Sequence, residues 1–430
     1  MKTKPKADCC IAGAAELISG VSNRQGRVVR IENGAVAIQA GRIVSVGPIS
    51  QVEAEVDLTE AKRIDASGKI VAPGFVDCHT HLVFGKSRAR EFALKMTQSA
   101  ADVEAMGLET GIPASIKMTR EAAEDELFDA AMDRLACMLR HGTTTVESKS
   151  GYGINRPDEL KMLRVNQRLA AAQPIDIVST FLGAHDFPPE IDRNDIAERN
   201  RYIDALVNER IPEVAEAGLA EFCDVYCDDG YYTAEESRRV LQAGIDHGLR
   251  AKIHTDAYSG IGGSTLAAEL PAISADHLNY TSTAEMSAMA KASVVGVILP
   301  ALDFAVAHPD PVMPRPMIEA GMTIALGTNL NPGNWTESMR FVMLLACRRH
   351  RLSLEEAFLA ATLGAAKAIG REAEIGSLEC GKKADIQIWD IPQFEHLIYR
   401  FNHNPVVSVI KDGQILFDTT TGMQAWQNQS

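Results

Sequence analysis

Short apolar runs that alternate with polar positions occupy both ends of the chain, and a different rhythm fills the middle. Val28-Val29-Arg30-Ile31-Glu32-Asn33-Gly34-Ala35-Val36-Ala37-Ile38 and Gly41-Arg42-Ile43-Val44-Ser45-Val46-Gly47 read as strands parted by Asn-Gly and Ala-Gly turns. The same texture returns in Ala384-Asp385-Ile386-Gln387-Ile388-Trp389 and again over 406–416. Residues 1–70 and 376–430 are therefore expected to build one small composite β-sandwich domain. Between them, residues 71–375 alternate apolar strands with helical stretches, the pattern of a parallel α/β architecture. Strand candidates fall at 70–77, 143–148, 176–182, 221–226, 249–254, 271–276, 293–298 and 322–328, with helices such as Glu121–Leu139 and Asp158–Ala172 between them. Eight strands over this length predict a (β/α)8 barrel. A doubly wound sheet is disfavoured, because no Gly-rich dinucleotide fingerprint follows the first strand.

Such a barrel gathers its chemistry at the C-terminal ends of its strands, and the histidines fall there. His79 and His81 follow the first strand with one residue between them, and in extended backbone residues i and i+2 point to the same side. His185 follows strand three, His254 ends strand five, Asp276-His277 ends strand six, and Asn329 follows strand eight. The remaining histidines (141, 247, 308, 350, 396, 403) read as structural or surface residues. Several imidazoles and an oxygen donor, with a position left open for water, form the pattern of a hydrolytic metal site.

Composition narrows the partners. A formal net charge of −14 with no long basic run argues against nucleic acid and anionic membrane surfaces. No apolar stretch reaches the roughly 18 residues of a membrane span, and the polar segment after the basic N-terminus is too short for a signal sequence. The eight cysteines show no framework spacing and read as reduced thiols of a cytoplasmic protein. Cys223 and Cys227 lack the second pair that a zinc clip needs.

Several segments extend the pattern across nearly the whole chain. They are Pro73-Gly74-Phe75-Val76-Asp77-Cys78-His79-Thr80-His81-Leu82-Val83-Phe84-Gly85, Ser148-Lys149-Ser150-Gly151-Tyr152-Gly153, Glu159-Leu160-Lys161-Met162-Leu163-Arg164, Gly183-Ala184-His185, Ser274-Ala275-Asp276-His277-Leu278 and Asn331-Pro332-Gly333. Together they resemble the amidohydrolase superfamily and, within it, the imidazolonepropionases, ring-opening hydrolases of histidine degradation. The resemblance implies one divalent ion, zinc or iron, held by His79, His81 and His254 with Asn329 at the oxygen position. It implies catalytic roles for His277 and His185, and substrate contacts for Arg88, Tyr152, His185, Asn331 and Gly333. A guanidinium and a phenol suit a propionate, and an imidazole suits a ring carbonyl. The expected partner is a small-molecule carboxylate substrate, and the expected assembly a homodimer.

The departures from that family pattern are also specific. Asn329 stands where the family has an aspartate, Ala257 where it has Glu or Gln, and Ala101 where it has a tyrosine. Glu109-Thr110-Gly111-Ile112 replaces a triple glycine, and Asn334 replaces a small hydroxyl residue. The leading expectation is hydrolysis of an imidazolone-type ring bearing a propionate arm. The alternatives are a paralogue releasing sulfide from a thioxo-imidazolidinone propionate, and a silent ligand-binding paralogue.

Overall fold

A computed structural model describes residues 4–23 and 27–424. The outermost residues of the expected terminal domain, 1–3 and 425–430, lie outside that range. Strands from both ends of the chain form one nine-stranded, mostly antiparallel sheet. Its N-terminal strands, Cys9–Ser22, Val28–Gln39 and Arg42–Pro48, reach the C-terminal ones through Ile70–Pro73, which pairs antiparallel with Ile386–Trp389. Register shifts bend the long strand Cys9–Ser22, so its first half pairs with Lys62–Asp65 and its second with Ile70–Pro73. Ile11, Leu17, Val36, Ile38, Val71, Ile386, Ile388 and Ile410 fill its interior.

The second sheet is the barrel. Its eight parallel strands run in chain order, each paired with the next: Phe75–Asp77, Thr143–Lys149, Asp176–Ala184, Phe222–Cys227, Arg250–Thr255, Ser274–His277, Val295–Ile298 and Ile324–Leu326. Closure occurs beyond the last strand, where Thr80 bridges Leu330 and Asn329 N donates to His79 O at 2.9 Å. The strand expected over 70–77 is two strands, one in each sheet. Gly74 separates them because a Cβ there would lie 2.3 Å from Thr144 Oγ1, so only glycine passes.

The helices follow local rules. Glu124–Arg140 begins after its expected start because the Glu126 carboxylate accepts from Ala123 N, closing the helix end there. It buries Leu127, Ala131, Leu135, Met138 and Leu139 along one stripe. Arg156–Ala172 is capped by Asn155, whose side chain accepts from Asp158 N at 2.9 Å. All eight cysteines are unpaired. Among the described residues no helix is long and apolar enough to cross a membrane.

Candidate metal centre and substrate pocket

His79 and His81 leave the first barrel strand buried, with ring centroids 5.6 Å apart. His254, from strand five, brings its ring to 4.6 Å from His79 and 5.8 Å from His81. Donor nitrogens of the three lie within 4.8 Å of one another. His79 Nε2, His81 Nδ1 and both nitrogens of His254 are buried without a hydrogen-bond partner. Unpartnered buried nitrogens cost free energy, and a cation would satisfy this convergent set. Cys223 and Cys227 belong to no group of metal donors among the described residues.

Carboxylates stand behind the imidazoles. His79 Nδ1 donates to Asp276 Oδ2 at 2.6 Å, which fixes the tautomer and turns the Nε2 lone pair outward. His254 Nδ1 lies 3.0 Å from Asp224 Oδ2, without the alignment of a hydrogen bond. Lys149 reaches Asp224, Glu147 and Asp276 at 2.7, 2.9 and 3.4 Å, and Lys252 reaches Glu147 at 2.8 Å. Burial alone would strip the Lys149 proton, but Asp224, Glu147 and Asp276 outweigh it and raise the pKa. Burial likewise opposes ionisation of Asp224, yet His254 and Lys149 hold it well below the usual carboxylate range. Lys149 therefore remains a charged cross-link of the barrel interior, and Lys252 ties Glu147 in from strand five.

Around this centre the other strand-end residues form a wall of aromatic rings. His185 stacks on His81 with centroids 4.8 Å apart and planes 17° apart, and its Nδ1 donates to Gly151 O at 3.0 Å. That bond leaves His185 Nε2 an acceptor, so this neutral ring cannot donate to the carbonyl expected of it. Burial, then His254, pushes its pKa down to about 3. His277 lies 5.2 Å from His254 and 5.7 Å from His79, with φ 85° in the left-handed region. Such strain persists where surrounding packing enforces it. Burial and then His254 and His185 hold its pKa well down too. Tyr152 packs 5.2 Å from His81. Burial raises its pKa and nearby Arg88 opposes that.

Arg88 immediately precedes the helix Ala89–Lys95 without a side-chain capping bond and has Glu91 at 3.5 Å, but its buried Nε has no partner. Its guanidinium lies against Gly333, where a Cβ would come within 1.8 Å of Nη2. Asn331 spends its amide inside the loop: Oδ1 accepts from Gly333 N and Asn334 N, and Nδ2 donates to Asn329 O and Oδ1. It builds the turn that carries Asn329 and Gly333. Asn329 (φ 49°) lies beside His79, Ala257 is buried next to Asp256, and Ala101 is exposed on the helix Ala100–Ala105.

Sequence reasoning did not single out Glu147, Lys149, Asp224, Lys252, Tyr226 or Glu159 for roles here. The signal was the period of two: Glu147 and Lys149, Lys252 and His254, Ser274 and Asp276 each sit two apart and face one interior. Tyr226 stacks on His277 at 6.1 Å and also lies 6.1 Å from His185.

The amidohydrolase family pattern matches residues 70–416. The chain belongs to the amidohydrolase family. This amidohydrolase is 45% identical over 389 residues, 90% of each chain, to the imidazolonepropionase of Geobacillus kaustophilus (strain HTA426). It is 42% identical over 420 residues to that of Symbiobacterium thermophilum, covering 96% of this chain and 97% of the relative. Its fold is that of an adenosine deaminase from Xanthomonas campestris solved with zinc, with TM-score 0.72 at 20% identity over 100% and 96% of the two chains. An atrazine chlorohydrolase from Arthrobacter aurescens, complexed with zinc, gives 0.69 at 17% over 98% and 97%. The family and the unpartnered nitrogens together support a divalent metal ion at this centre.

Proposed function

We propose that this amidohydrolase opens a five-membered imidazolone ring bearing a propionate arm, a C–N hydrolysis of histidine degradation. Identity of 45% to an imidazolonepropionase across 90% of both chains is the observation that carries the reading. We assign the ion, zinc or iron, to His79, His81 and His254, with Asn329 as oxygen donor. When bound it supplies a Lewis acid and lowers the pKa of nearby water.

The chain's own groups do the rest. Arg88 Nε, buried and unpartnered, and the Tyr152 hydroxyl hold the substrate carboxylate. His185 Nε2, its lone pair free, accepts from a ring N–H and orients the ring. His277, kept neutral, takes a proton from the attacking water and returns it to the departing ring nitrogen. Atoms balance: the water oxygen joins the ring carbon, one ring C–N bond breaks, and the nitrogen leaves protonated. Sulfide release rests on the departures at Asn329, Ala257, Ala101, Asn334 and residues 109–112, and a silent site on Asn329; the relatives favour ring opening over both.

The test offers the ion-loaded protein imidazolone, hydantoin and thiohydantoin propionates and follows products by mass. A product one water heavier from imidazolone propionate is expected. Turnover confined to another ring would overturn the reading.

A further inference from the structure

Glu159 lies in the first turn of the helix Arg156–Ala172 and is buried. Its carboxylate faces the loop that carries Tyr152. Oε1 accepts from Gly151 N, Gly153 N and Ile154 N at 3.1, 2.7 and 2.8 Å, and Oε2 accepts from Gly151 N at 3.1 Å. Three backbone N–H groups of one loop thus converge on a single side-chain carboxylate, and that convergence imposes an unusual path. Gly151 has φ 104°, and Ile154 has φ 53°, a region a β-branched residue rarely enters.

The same loop is bound to the end of strand three. Gly151 O accepts from His185 Nδ1, and a Cβ on Gly151 would lie 2.9 Å from His185 Cβ. Ser150 Oγ accepts from Leu182 N at 2.9 Å. Tyr202 OH bonds both Ile154 O and Gly183 O, at 3.1 and 2.8 Å. Glu159 therefore sets the path of a loop that presents Tyr152 and fixes the tautomer of His185.

We infer that Glu159 is a positioning residue for substrate binding, acting through Tyr152 and His185 without touching substrate itself. The inference rests on the proposed function, in which those two side chains contact the substrate. A glutamine would turn an NH2 group toward backbone N–H donors that need an acceptor, so the loop would leave its present path. Displacement of about 1 Å at such contacts costs on the order of 100-fold in rate.

The experiment compares Glu159→Gln, Tyr152→Phe and their double variant on imidazolone propionate, with bound ion measured in each. The expected result is an unchanged ion content and a kcat/KM lower by ~100-fold in Glu159→Gln, carried mostly by KM. The loss in the double variant should be far from additive. A purely structural role would give additive losses. If Tyr152→Phe leaves KM unchanged, the proposed function fails at this contact and the inference with it. If Tyr152→Phe raises KM and Glu159→Gln does not, the inference alone is overturned. Glu159→Asp, which keeps charge but not reach, gives the same reading should the glutamine variant not fold. Failure of both to fold would overturn the inference, since the carboxylate would then be supporting the barrel itself.

Discussion

Lys149 places its ammonium 2.7 Å from Oδ2 of Asp224, and both side chains are fully buried. The same ammonium neighbours Glu147 and Asp276, so it joins the two carboxylates that stand behind His254 and His79. Lys149→Met would leave these carboxylates short of a counter-charge. We expect unfolding in urea to cost about 3–5 kcal/mol less than in the parent. Ion affinity, read by competition with a chelator, should weaken ~10-fold or more as the two imidazoles lose orientation. An unchanged affinity in a folded variant would cut the link between this lysine and the metal centre.

Gly333 is expected to act through Arg88. Because a Cβ would meet the Arg88 guanidinium at 1.8 Å, Gly333→Ala should push that group off the substrate carboxylate. Both Gly333→Ala and Arg88→Ala should weaken substrate binding by about 1.5–3 kcal/mol, the range for a hydrogen bond to a charged group. Steady-state KM for the two variants checks it. A normal KM in Gly333→Ala beside a raised one in Arg88→Ala would sink the coupling.

Asn329 occupies a left-handed backbone position that Asn and Asp both tolerate, so Asn329→Asp should fold normally. The added negative charge beside the imidazoles should tighten ion binding. Turnover of imidazolone propionate should change by less than ~10-fold, because His277 is the group placed to move protons. A gain of about 100-fold or more would mean instead that the amide replaces a needed base.

The buried imidazoles also set a pH dependence. His79, His81, His185 and His277 all have pKa values held down by burial and neighbouring positive charge, that of His185 to about 3 against an ordinary 6.5. Between those values the unfolded chain binds protons that the native chain refuses, so stability falls as pH drops. Each such histidine contributes a slope of ~1.4 kcal/mol per pH unit. In ion-free protein the urea midpoint should fall steadily from about pH 7 to about pH 5. His185→Gln should flatten that slope by one proton's share. A flat profile in the parent would contradict neutral, buried rings.

Local patterns, apolar runs between helical stretches in the middle and apolar–polar alternation at the two β-rich ends, determined the eight strands, those ends and the strand-end placement of His79, His81, His185, His254 and His277. A period of two needs only backbone geometry to be read. Even Gly74, where one expected strand became two, departed for a contact with Thr144 from a different strand. Pairings across the barrel depend on register, and register is a property of the assembled sheet. His79 meets Asp276 across 197 residues of sequence, and Lys252 meets Glu147 across 105. In the sequence those carboxylates and lysines are polar residues at the ends of apolar runs. Glu159 is one acidic residue in a helix's first turn, where the helix dipole already favours one. Only folding brings the loop's N–H groups to its carboxylate and turns the dry barrel interior into a place where each buried charge must find a partner.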